Sequence, residues 1–388
     1  MRNFTYDAST RILFGKNRVF EVAPEIKKYG SKVLLAYGGG SIKNNSLYDT
    51  VCKLLNKAEI PFVELSGIQP NPRIESVREG VKLCRENDID FILGIGGGSV
   101  IDCIKAIAAA VPYDGDAWDF FIRKAKIVNP LPVGSILTIA ATGSEMNGNC
   151  VISNEETTEK RAAGDDSLRP KFSILDPSYT FTVNKWQSAA GAVDIMSHIF
   201  EQYFTLDPGT YIQDAMAEGI LKTCIKYGPI AVNEPNNYEA RANLMWASSL
   251  ALNGLTGTGK MFGDWATHGI EHEVSAVYDL THGAGLAILF PVWMEYVLDE
   301  KTAPKLAQYA RNVWQVNDTD DIQAARQGIA ATRKFFNELD MPATLANVKI
   351  TGEKIDAMAE GACLFGPIGM FKKLGKDDVR NILVAALD

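Results

Sequence analysis

Four histidines occur in 388 residues. Three of them, His268, His272 and His282, lie within one fifteen-residue window, and the fourth, His198, follows Asp194 by four positions. Residues four apart share a face of an α-helix, so Asp194 and His198 in GAVDIMSHIFEQYF can address one ion. His268 and His272 in DWATHGIEHEVSAVYDLTHG repeat the spacing. A break over Tyr278–Thr281 gives His282 a second direction of approach. One such pair on an apolar helix is ordinarily a satisfied core pair or a surface coincidence. Two pairs, with histidine absent elsewhere, predict a metal centre for which Asp194, His198, His268, His272 and His282 are the candidate donors. Imidazole and carboxylate donors suit Zn²⁺ or Fe²⁺, and affinity order does not choose between them.

A chain of this length exceeds the size at which one hydrophobic core keeps growing, which predicts two domains. Through residue 184, short aliphatic runs at 32–37, 61–65, 90–95 and 135–140 alternate with amphipathic helical stretches, the pattern of βαβ units in a parallel, doubly wound sheet. A β-excursion with a long polar loop follows, closed by the Asp176-Pro177 turn signal. From Trp186 onward strand signals vanish, and the rest reads as successive helices. The predicted fold is an α/β dinucleotide-binding domain over 1–184 and an all-α, metal-binding domain over 185–388, with the active site expected in a cleft between them.

Three loops at strand ends predict what the first domain holds. Gly38-Gly39-Gly40-Ser41 and Gly96-Gly97-Gly98-Ser99 each follow a strand, and the second opens a helix that includes Asp102. Backbone without Cβ approaches phosphate closely, and the first-turn N–H groups of a helix favour a pyrophosphate. Neither loop meets G-x-G-x-x-G, and either alone reads equally as a tight turn. The third loop, in TIAATGSEMN, supplies hydroxyls from Thr138, Thr142 and Ser144. Together the three predict a dinucleotide.

Composition narrows the partners. A net charge of −8 without basic clusters excludes nucleic acid and anionic membrane surfaces and favours a small-molecule substrate. Six scattered cysteines without C-x-x-C indicate neither a thiolate metal site nor a disulfide framework, as in a reducing cytoplasm. No signal peptide or membrane anchor is read from the chain.

The motifs GGGSVIDCIKA, TIAATGSEMN, GAVDIMSHIFEQYF and HGIEHEVSAVYDLTHGAGLAILFPVWM, with FTYDASTRILFG and YGGGS near the start, resemble the iron-containing (group III) alcohol dehydrogenases nearly end to end. The likeness is greatest to the branch of butanol dehydrogenases and broad-specificity aldehyde reductases. It implies that Asp194, His198, His268 and His282 hold the metal, that His272 lies nearby without ligating, and that the chain forms homodimers through its N-terminal strand. NAD-preferring relatives carry an aspartate where this chain has Gly39. Ser41 and Lys43 can instead meet a 2′-phosphate, so NADP(H) is expected over NAD(H). Lys160 resembles the family lysine that reaches the cofactor phosphates. The implied reaction is hydride transfer between NADP(H) and a primary alcohol or aldehyde, with the metal as electrophile and His272 as a proton relay or an orienting neighbour. Asn147, Asn149, Met261, Phe262 and Trp265 suggest a largely apolar substrate surround with an amide or two.

Rival readings exist. His268-Gly-Ile-Glu271-His272 matches the H-x-x-E-H zinc-peptidase pattern, with Glu271 as general base, but that leaves the glycine loops and the Asp194/His198 pair without a role. Glycerol dehydrogenase and dehydroquinate synthase share the expected fold, and the basic phosphate pocket of the latter is not evident. A non-catalytic nucleotide-binding regulator would require a depleted ligand set, whereas all four positions are filled.

Overall fold

Eight strands form where aliphatic and β-branched residues cluster in the first half: β1 Arg11–Phe14, β2 Val33–Tyr37, β3 Phe62–Leu65, β4 Phe91–Gly96, β5 Val133–Leu137, β6 Asn149–Asn154, β7 Glu159–Gly164 and β8 Phe172–Leu175. All 388 residues are described by this computed structural model. Six strands make one sheet in the order β1-β8-β5-β4-β2-β3, and every pairing in it is parallel. The excursion expected after β5 resolves into an antiparallel ribbon, β6–β7, followed by β8, which returns to the main sheet. β5 stops at Leu137, so Thr138–Ala140, read as the end of a strand, belong to the loop beyond it.

Strands β2, β4 and β5 are buried along their whole length, as strands covered on both faces must be. Successive residues point to opposite faces. Leu34, Ala36, Ile92 and Val133 therefore pack with helices α2 (Ile74–Glu86) and α3 (Gly98–Ala110), whereas Val33, Leu35, Phe91 and Leu93 pack with α1 (Leu47–Lys57). Because β5, β4 and β2 are adjacent and parallel, the loops leaving their carboxyl ends emerge at one edge of the sheet.

From Asn184 the chain is helical: α4 Lys185–Tyr203, α5 Tyr211–Asn233, α6 Tyr238–Ala251, α7 Ala266–Tyr278, α8 His282–Val297, α9 Ala303–Trp314, α10 Asp321–Glu338, α11 Ile355–Ala362 and α12 Lys376–Ala385. Asn184 caps α4 by accepting from the Gln187 N–H, as an N-cap asparagine does. An aromatic cluster of Phe200, Phe204, Phe290, Trp293 and Tyr309 anchors this core. No helix is long and apolar enough to cross a membrane.

The chain divides into two compact units, Asp7–Val183 and Asn184–Asp388, the second also containing Met1–Tyr6. The N-terminal ammonium donates to the Pro208 carbonyl at 2.8 Å, Arg2 pairs with Asp207, and the Arg2 N–H donates to the Gly259 carbonyl at 2.8 Å. Nothing in the pattern of those six residues signals that grouping.

Candidate metal centre and coenzyme loops

Helix α4 is buried over nearly its whole length, so every polar group on it needs a partner. Asp194 and His198 are one turn apart, with the imidazole Nδ1 3.4 Å from the carboxylate Oδ1. Helix α7 carries His268 and ends at Asp279, which takes the left-handed conformation (φ 50°) that turns the chain into α8. His282 is the first residue of α8, and its Nε2 lies 3.8 Å from Asp194 Oδ1. One ligand atom each from Asp194, His268 and His282 all fall within 4.8 Å of one another. The His198 ring adjoins this trio, 4.9 Å from the His268 ring between centroids.

The polar atoms that converge here fit a cation. Asp194 Oδ1, His198 Nδ1 and His268 Nε2 are buried and lack any hydrogen-bond partner, an arrangement costly unless something else occupies their lone pairs. Asp194 and Glu201, both buried, face histidines and no lysine or arginine. Burial pushes the His198 imidazolium down to about 3, so the ring is neutral at pH 7, the form that ligates. A divalent ion would supply the missing positive charge, and nitrogen and carboxylate donors suit Zn²⁺ or Fe²⁺.

Two further carboxylates complete the centre. Glu201 Oε1 accepts from the backbone N–H of His268 at 3.0 Å and lies 2.7 Å from its Nδ1, while Oε2 accepts from the Trp265 N–H at 2.6 Å. Glu271 is fully buried and hydrogen-bonds His282 Nδ1 and the Ser275 hydroxyl. Glu201 was detectable: it follows Asp194 by seven positions and His198 by three, on one face of an apolar helix. His272 is half-buried, with its ring 5.7 Å from that of His282, and a second, overlapping trio of ligand atoms comprises Glu271, His272 and His282.

In the sheet unit the loops after β4 and β5 meet as adjacency requires. A Cβ on Gly98 would lie 2.3 Å from Thr142 Oγ1, and one on Gly97 3.2 Å from Ile139 Cβ, so only glycine lets the loops after β4 and β5 approach this closely. A Cβ on Gly96 would meet Val100 at 2.5 Å, which brings the start of α3 hard against its strand. Thr138 N–H donates to the Gly96 carbonyl at 3.0 Å. First-turn N–H groups of α3, those of Gly98 and Ser99 included, have no intrahelical acceptor and can face an anion. Gly38 and Gly39 lead from β2 to Gly40, whose positive φ (102°) initiates a short turn of helix from Ser41 to Asn44. Ser41 and Lys43 are exposed there. The Lys43 ammonium lies 4.7 Å and 5.1 Å from the ring centroids of Tyr48 and Tyr37, whose hydroxyls both donate to Glu64, at 2.8 Å and 2.6 Å. Lys160 is buried on β7, opposite Ser153.

Three of the predicted site residues have partners within the protein. Asp102 accepts from Ser144 Oγ at 2.5 Å and from the Val151 N–H at 2.9 Å, so both its oxygens, and the Ser144 hydroxyl, are engaged in holding the loop's shape. Asn147 donates to the Gly143 carbonyl and accepts from the Asn149 N–H and from Lys105, so its oxygen and one of its two N–H groups serve the loop. The organiser is Lys105, which sequence reasoning passed over. Fully buried, it donates to the Ser144 carbonyl (2.6 Å), Ser144 Oγ (2.8 Å), Asn147 Oδ1 (3.2 Å) and the Asn149 carbonyl (2.8 Å). Burial pushes it down to about 8 against the opposing pull of Asp102. Its signal was a lone lysine in the apolar run IDCIKAIAAA.

Comparison with known proteins agrees along the whole chain. Residues 9–177 match the family model for iron-containing alcohol dehydrogenase, and residues 188–387 that for the C-terminal domain of the Fe-containing alcohol dehydrogenase family. The chain is 53% identical over 385 residues to NADH-dependent butanol dehydrogenase A of Clostridium acetobutylicum, covering 98% of this chain and 99% of that protein. It is 43% identical over 361 residues to the NADPH-dependent aldehyde reductase YqhD of Escherichia coli, covering 92% of each. Among solved structures, NADH-dependent butanol dehydrogenase A of Thermotoga maritima superposes with a TM-score of 0.96 at 41% identity, over 100% of this chain and 99% of that one.

Proposed function

This chain belongs to the iron-containing alcohol dehydrogenase family, an NAD(P)-dependent oxidoreductase lineage, and on that premise we propose that it interconverts primary alcohols and aldehydes with NADP(H). The observation that carries the reading is the convergence of Asp194, His268 and His282 ligand atoms within 4.8 Å, with unpartnered atoms on Asp194 and His268 and on the adjoining His198. Those four residues would hold Fe²⁺ or Zn²⁺. When bound, such an ion supplies Lewis acidity toward a carbonyl or alcohol oxygen, and the nicotinamide supplies or accepts the hydride.

The protein's own residues do the rest. Backbone N–H groups of Gly97–Ser99 bind the pyrophosphate at the N-terminus of α3, and Thr138, Thr142 and Lys160 complete the coenzyme's polar surround. Lys105 and Asp102 keep the 138–147 loop in the shape that does so. His272, half-buried beside His282, is assigned to pass a proton between the alcohol oxygen and solvent. Met261, Phe262 and Trp265 offer apolar surface, Phe262 being 85% exposed, which supports medium-sized aliphatic aldehydes as substrates.

Relatives are named for both coenzymes, so the NADP(H) preference rests on the 38–43 loop: no acid at Gly39, and exposed Ser41 and Lys43 to meet a 2′-phosphate. Lys43→Ala should lower kcat/KM for NADPH roughly tenfold and leave NADH unaffected. A wild-type preference for NADH would overturn it. β1 is an edge strand, which supports a homodimer paired there, and six free thiols agree with a reducing cytoplasm.

The test of the whole reading is oxidation of NADPH and NADH followed at 340 nm with a panel of aldehydes, before and after chelation and readdition of Fe²⁺ or Zn²⁺. Turnover that is lost on chelation and restored by the metal supports it. Full activity in protein verified free of metal sinks it.

A further inference from the structure

Glu271 is the residue the peptidase pattern would make a general base, and its surroundings forbid that role. It has no exposed surface, and it hydrogen-bonds His282 Nδ1 and the Ser275 hydroxyl. Space for it is made by Gly285, one turn beyond His282 on α8, where a Cβ would meet Glu271 Cγ at 2.8 Å. Glu201 stands to His268 as Glu271 stands to His282: fully buried, 2.7 Å from Nδ1, and steadied by two backbone N–H donors.

A carboxylate only accepts, so a neutral ring beside it carries its proton on Nδ1 and leaves the Nε2 lone pair free. His268 Nε2 is indeed buried without a protein partner, and His282 Nε2 faces Asp194 Oδ1 at 3.8 Å. His198 has no carboxylate of its own beyond Asp194. Two of the three ring ligands are thus held in one tautomer and one orientation by separate buried acids contributed by α4 and α7.

We infer that Glu201 and Glu271 are positioning residues of the metal centre, fixing His268 and His282 as Nε2 donors and raising the affinity for the ion. The inference rests on the metal-centre reading proposed above. It concerns ion binding and leaves the hydride chemistry untouched.

The experiment is equilibrium competition for Zn²⁺ and Co²⁺ against a chromophoric chelator, with the visible absorption of the Co²⁺ form recorded for wild type, Glu201→Gln, Glu271→Gln, the two alanine variants and Asp194→Ala. Glutamine keeps the volume and an acceptor but loses the charge, so the glutamine variants carry the test if an alanine variant fails to fold. Each Glu→Gln change is expected to weaken ion binding by about 10–100-fold, the alanines by more, and both to alter the Co²⁺ bands, while NADPH binding measured by fluorescence is unchanged. Dissociation constants and Co²⁺ spectra equal to wild type in all Glu variants, with Asp194→Ala unable to bind the ion, overturn the positioning role alone. Stoichiometric ion retained by Asp194→Ala overturns the metal-centre reading beneath it.

Discussion

Gly283 follows the candidate ligand His282, and the structure states what a methyl group there would meet. The new Cβ would sit 2.1 Å from the carbonyl oxygen of Ala190, 2.7 Å from its carbonyl carbon and 3.0 Å from its Cα. All three are backbone atoms of α4, one turn before Asp194, so no side chain can swing aside. To reach even 3.0 Å, below which real Cβ contacts essentially never fall, the first turn of α8 must retreat from α4 by about 0.9 Å. Metal–ligand distances tolerate only about ±0.2 Å, and His282 and Asp194 ride on the two helices being forced apart. Gly283→Ala should therefore cost about 1–3 kcal/mol of overpacking strain in the metal-free protein, a Tm drop on the order of 3–10 °C. It should also weaken ion binding by about 100-fold. The two effects separate in calorimetry. Strain lowers the Tm of the metal-free form, whereas a 100-fold weaker site removes about 2.7 kcal/mol of the stabilisation gained on adding a given excess of Zn²⁺. An alanine variant with a wild-type Tm when metal-free and a wild-type gain on adding Zn²⁺ would refute the claim that the α4–α8 contact sets the geometry of the centre.

Other expectations are simpler. Gly98→Ala, whose Cβ would collide with Thr142, should raise the dissociation constant for NADPH at least tenfold, read by fluorescence titration, with bound metal unchanged by elemental analysis. Lys105→Met should destabilise the protein by about 3 kcal/mol, because the buried Ser144 carbonyl and the partly buried Asn149 carbonyl lose their donor and Asp102 its nearby cation; chemical denaturation measures it. His272→Ala should lower turnover by about 10²–10⁴-fold if it relays the proton while the protein keeps its metal; loss of the ion in that variant would make His272 a ligand.

The parts of this architecture set by local periodicity were legible in the residues. Asp194/His198 and the alternation of strand and helix through β5 depend on neighbours within one helix or one βαβ unit, and the structure presents them much as spacing implies. Features set by distant partners were not. That Asp102 is tied up by Ser144 and Val151 depends on a loop and the strand β6 more than forty residues away, and that Lys105 is buried at all depends on four acceptors supplied by the same loop and strand. Glu271 shows the third kind of case: its position in H-x-x-E-H was visible, but only the Nδ1 of His282, eleven residues on and across a helix break, reveals which chemistry it serves.

Met1–Tyr6 is part of the helical unit although the next residue belongs to the sheet unit. Were the polypeptide severed between Val183 and Asn184, the fragment bearing the glycine loops would still own a six-residue hook, fastened through Met1 to Pro208 and through Arg2 to Asp207 and Gly259. Split halves of this protein should consequently find one another when co-expressed, and clipping the hook should cost that reunion its grip.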